Sequence, residues 1–148
     1  MIDVEFHTGV ADPVGFACRL LRKAVRRGVR VRVIAPADTL DALDRALWTF
    51  DEIDFIPHVR VPGATAAAAG RTPVWLAPTA HDTAGSAPQP AVLVNLGADA
   101  PADLGGLERL IEIVSTSTDE VARGRSRWRV YQARGLGVTN HSVPAPNG

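Results

Sequence analysis

Apolar and polar positions alternate from the start of the chain: Ile2, Val4 and Phe6 are interleaved with Asp3, Glu5 and His7, the period of a half-buried strand. Thr8 and Gly9 then read as a turn. Asp12 before Pro13 is a helix start, because the carboxylate can take a free amide and proline's missing N–H costs nothing there. The spacing predicts a helix over residues 13–27, with Phe16, Leu20, Ala24 and Val25 inward and Gly28 as a left-handed cap. Val29, Val31, Val33 and Ile34 make a second strand. Strand, crossover helix and strand in such close succession predict a parallel, right-handed unit.

Pro36 and Asp38 repeat the start signal for a helix over residues 38–50. Its Leu40, Leu43, Leu47 and Phe50 form one apolar stripe, and Trp48 falls off it. Trp48 is therefore either packed under a neighbouring loop or exposed for a partner. An acidic turn over residues 51–54 leads into Phe55–Ile56–Pro57–His58, an apolar run with no strand partner in this reading and with His58 at the surface. Residues 65–71, rich in alanine, and residues 81–90, without periodicity, read as loops. Residues 74–76, 91–96 and 110–114 read as strands, the second apolar enough to be buried on both faces. Residues 118–134 form a closing helix, with Ala122, Ser126, Val130 and Ala133 expected to dock on the sheet. The sum is a three-layer α/β domain over residues 1–138, its sheet mainly parallel with helices on both faces, and a flexible tail over residues 139–148.

Composition narrows the function. The 148 residues carry 16 basic and 16 acidic side chains, so no global field draws the chain to nucleic acid or to an anionic membrane. The charge is uneven, however: residues 19–32 and 123–134 are basic, and residues 38–54 acidic. The one cysteine, Cys18, excludes an internal disulfide and sits in an apolar helical context, as a buried small hydrophobe. With no secretory segment at the start and no long apolar run, a soluble cytoplasmic protein is expected.

Enzyme fingerprints are missing. The first strand–helix turn has one glycine where a dinucleotide site wants three, and the lone lysine, Lys23, lies in a helix and not in a phosphate loop. The four histidines lack ligand spacing, and Ser115 and Ser117 lack a nucleophile-elbow context. No cofactor, metal or catalytic residue is expected. A small nucleotide-binding α/β enzyme remains the alternative reading from another class.

The richest chemistry is ARGRSRWRVYQARG, residues 122–135, with five arginines, Trp128 and Tyr131. An arginine fork holds a carboxylate or phosphate bidentately, and Trp128 adds an apolar surface with a polar edge. Val121, Arg125, Trp128, Arg129 and Gln132 share one helical flank, suited to an acidic ligand with a hydrophobic end. Interleaved arginine and aromatic also fits single-stranded DNA, though no second aromatic platform on a strand is evident.

Four segments in this order and spacing carry a resemblance: LDRALWTF (residues 43–50), DFIPH (54–58), VLVNLG (92–97) and the arginine-rich helix ending WRVYQARG (128–135). The chain resembles the chi subunit of bacterial DNA polymerase III holoenzyme over about residues 4–136. The resemblance implies a Rossmann-like fold without a working nucleotide site and a non-catalytic adaptor. One surface would hold the psi subunit, which ties chi to the clamp loader. Another would take the acidic, phenylalanine-terminated tail of single-stranded DNA-binding protein, so that DNA is met only indirectly and no membrane is involved. By position, Arg125 and Arg129 match the family's two basic contacts, Trp128 the aromatic between them, and Trp48 the tryptophan of the second helix. Arg129 stands where the family often has lysine, and Trp128 where it often has tyrosine. Trp48 and Trp128 are expected to wall one pocket for the tail, and Phe55, Ile56, Pro57 and His58 to lie at the psi surface.

Overall fold

The computed structural model describes residues 2–50 and 55–143. The acidic turn over residues 51–54 and the last five residues of the expected tail lie outside them. Strand β1 (Asp3–Val10) is followed by α1 (Pro13–Arg26), β2 (Val31–Ile34), α2 (Ala37–Thr49), β3 (His58–Arg60), α3 (Ala66–Arg71), β4 (Val74–Ala77), β5 (Val92–Asn95), β6 (Arg109–Ser115), α4 (Thr118–Ala133) and β7 (Val138–Ser142). The strands form one sheet in the order β3-β4-β2-β5-β6-β1-β7. Every pairing in it is parallel.

The period of two along each strand divides the core between two faces. On one, Ala17, Cys18 and Leu21 of α1 and Leu40, Leu43 and Leu47 of α2 close over Val31, Val33, Val74, Leu76 and Val94. On the other, Tyr131 of α4 packs on Val4, Phe6, Leu93, Leu110 and Val114. There too, α3 sets Ala69 beside Trp75 and Ala77. This is the expected three-layer, Rossmann-like arrangement. Burial pushes the Cys18 thiol up to about 11, in keeping with its place as core packing.

The capping signals at α1 hold: Asp12 accepts the Gly15 amide at 3.0 Å, and Gly28 closes the helix with φ of 73°. Other expectations are corrected. Thr8 and Gly9 lie inside β1, where the register with β6 slips between His7 and Val10 and Gly9 takes φ of 71°; the glycine marks a bulge, not a turn. Helix α2 begins at Ala37 after Pro36, earlier than Asp38. Residues 66–71 are helical, because alanine is the best helix former and Thr65 caps the Ala68 amide at 3.1 Å. The tail expected from residue 139 gives its first residues to β7, which pairs with β1.

The docked face of α4 is the reverse of the one expected. Gly124, Arg127 and Tyr131 are buried, whereas Ala122, Ser126, Val130 and Ala133 face outward. The pattern misled because a buried arginine reads as a surface residue. Arg127 donates from Nε to both Glu112 carboxylate oxygens, at 2.9 and 3.2 Å. Tyr131 and Asn95 donate to Glu112 Oε2 at 2.8 and 3.1 Å. Burial pushes the Glu112 carboxyl up, against the pull of Arg127 and these hydrogen bonds, and raises the Tyr131 hydroxyl beside it. The network ties α4 to the two central strands β5 and β6.

Candidate partner-binding sites

Once α4 is docked, its four arginines and Arg134 at its C-terminal cap separate by what they touch. Arg127 belongs to the core pair, Arg123 to Glu120 at 2.9 Å, and Arg134 to the Pro101 carbonyl at 2.7 Å. Arg125 and Arg129 are exposed and, among the described residues, meet no carboxylate. They stand one turn apart, so their guanidinium groups can converge on one ligand.

Beside Arg125 lies a groove of about 340 Å³ between α4 and the β1–β7 edge. Phe6 and Trp128, with ring centroids 5.0 Å apart, give it an aromatic wall. Val114, Val121 and Gly124 extend the apolar lining, and Thr8 and Asn140 add polar atoms joined at 3.1 Å. Gly124 lets α4 lie close on β6: a Cβ there would meet the Val114 methyls at 3.0 and 3.1 Å. Thr8, Gly124 and Asn140 were missed from sequence. The first and last fall in the expected turn and tail, and a glycine inside a helix carries no signal of a ligand.

Trp48 does not join this groove. It lies on α2, across the sheet from α4, with its ring 5.2 Å from Phe55 and 5.0 Å from His58. Trp48 is 61% exposed and Phe55 52%, so the two rings form one open aromatic patch. A joint pocket of Trp48 and Trp128 is thereby overturned, since α2 and α4 cover opposite faces.

Nor are all four residues of the 55–58 segment offered to a partner. Ile56 is core, Pro57 half-buried, and His58 buried instead of at the surface. The segment also has a strand partner, for His58 opens β3 and pairs with β4 at the sheet edge. The His58 ring sits between the Ile56 carbonyl at Nδ1 and the Asp44 carboxylate at Nε2, each 2.8 Å away. Arg60 reaches Asp41 at 3.0 Å and Asp44 at 3.4 Å, closing a polar clasp under the aromatic patch. His58 thus supports Trp48 from below, and Phe55 beside it is the exposed member.

Among the described residues, no cluster of three or more histidine, cysteine, aspartate or glutamate side chains could hold a metal ion. Likewise, no described helix is long and apolar enough to cross a membrane. A family model described as DNA polymerase III chi subunit, HolC, matches residues 1–139. No curated protein matches the chain. The chain belongs to the DNA polymerase III chi-subunit family.

Proposed function

We propose that this member of the chi-subunit family, an accessory subunit of DNA polymerase III, is a non-catalytic bridge with two separate partner surfaces. The α4 groove takes the acidic, phenylalanine-terminated tail of single-stranded DNA-binding protein. The Trp48–Phe55 patch takes the psi subunit, and through it the clamp loader. The tail reading is carried by one observation: Arg125 and Arg129 are the α4 arginines left without a carboxylate among the described residues, and Arg125 borders an aromatic-walled groove. Arginine forks suit a terminal carboxylate and neighbouring aspartates, and the Phe6–Trp128 wall suits a phenyl ring.

Truncating a partly buried charge-pairing arginine at an interface costs roughly 2 kcal/mol, about thirtyfold in affinity. Arg125→Ala is therefore expected to weaken binding of such a tail peptide about thirtyfold by calorimetric titration, whereas Arg71→Ala on α3 leaves it unchanged. Amidating the peptide's terminal carboxylate mimics the arginine loss. An amidated peptide that binds as well as the free acid would exclude the role given to Arg125 and Arg129.

A further inference from the structure

The basic run over residues 19–32 has no part in either surface. Arg19 and Lys23 on α1 and Arg27 at its C-terminal cap recur every fourth residue, so successive cations are about 6 Å apart along the axis. Among the described residues none of the three has a carboxylate partner; Arg19 only reaches over the Phe16 ring, 6.0 Å away. Arg109 across from them is different, since it is bonded twice to Glu5 at 3.0 Å.

The three cations line a groove of about 350 Å³ between α1 and the sheet, floored by Leu20, Ala24, Val31, Val92 and Ile111. Its far side is His7, on the face of β1 turned away from α4, and the neighbouring β7 continues that face beyond the groove. A row of rings runs there: Phe16 to His7 at 5.4 Å, then His7 to its cross-strand neighbour His141 at 5.1 Å, the last two nearly parallel at 20°. His141 is exposed. Burial, then the neighbouring His141, holds His7 below the usual histidine range, against the pull of Glu5, 3.5 Å from its Nε2.

We propose that this groove binds single-stranded nucleic acid, with Arg19, Lys23 and Arg27 on successive phosphates and the His7–His141 surface under the bases. The spacing of the cations is comparable to the phosphate step along an extended strand. An acidic peptide would be served by the cations and the apolar floor alone. The ring row on adjacent strands is the feature that base stacking uses, and it is what α4 lacks. The site is on the opposite face of the sheet from the α4 groove, so it is independent of the tail-binding reading.

The test is fluorescence anisotropy of a labelled oligo-dT with the full chain between 50 and 200 mM salt. Three phosphate contacts give a slope of log affinity on log salt of about −2, and each contact removed takes away about 0.7. Lys23→Ala is expected to flatten the slope by about that amount. His141→Ala is expected to weaken binding about fivefold or more with the slope unchanged, because stacking is not ionic. Absence of oligonucleotide binding at 50 mM salt overturns the proposal. So does binding that survives both variants but is lost in Arg125→Ala, which would put the strand on α4. A peptide of alternating aspartate and leucine that binds in a Lys23-dependent way while oligo-dT does not would also overturn it, giving the groove to an acidic peptide.

Discussion

Gly124 sets how closely α4 lies on the sheet, and Arg127 sets what holds it there. A methyl at position 124 would press on Val114, a buried β-branched side chain with little freedom to turn away. Overpacking of this kind costs about 1–3 kcal/mol, and the helix propensity of alanine returns about 1 kcal/mol. Gly124→Ala is expected to lower the urea midpoint modestly and to weaken tail binding more, since it tilts the wall of the groove. Arg127→Ala is harsher. It leaves Glu112, fully buried, without its cation, and breaking a buried pair costs about 3–5 kcal/mol. Combining it with Glu112→Gln, which keeps an acceptor for Tyr131 and Asn95, is expected to recover much of the loss in the same denaturation experiment. Both residues show where the pattern of the sequence stops being readable. Arg125 and Arg129 read as surface residues from the flank they share with Trp128 and Gln132, and both are exposed. Arg127 looks the same in sequence, and only the placement of Glu112 on β6 makes it core.

The elements most legible in sequence are those whose local signals agree with their tertiary place: α1, with its Asp12 cap and Gly28 stop, and β5, an apolar run in the middle of the sheet. The elements missed are those for which one signal pointed elsewhere. Gly9 reads as a turn until its partner β6 shows a bulge, and α3 is too short for its periodicity to stand out. Strand β7 is mostly polar and exposed, so nothing but its pairing with β1 identifies it. That strand matters to the site, because it supplies Asn140 to the α4 groove. A chain ending at Gly137 loses the β1–β7 ladder and uncovers the β1 edge. Its melting temperature is expected to fall by several degrees, with loss of tail binding even where the domain stays folded. Unchanged tail affinity in that shortened chain would show that the groove does not need β7.

At the scale of the whole molecule, the sheet is a partition. Helices α1 and α2 cover one face and α4 the other, so the Trp48–Phe55 patch and the α4 groove are backed by different core clusters. The second is anchored through the Glu112–Arg127 pair and the first through His58 and Asp44. Substitutions at sites with no shared partners add to within a few tenths of a kcal/mol. Trp48→Ala and Phe55→Ala are therefore expected to weaken psi capture, each by roughly 1–2 kcal/mol as exposed aromatic anchors, without changing the affinity for the tail peptide. Arg125→Ala is expected to do the opposite. With the wild-type chain, titrating the tail peptide into a preformed complex with psi should give the same affinity as titrating it into the chain alone. A bridge needs that independence, because one partner must stay bound while the other comes and goes. If Trp48→Ala also weakened the tail peptide by tenfold, with circular dichroism unchanged, the two surfaces would be coupled through the sheet. The partition into separate sites would then be wrong.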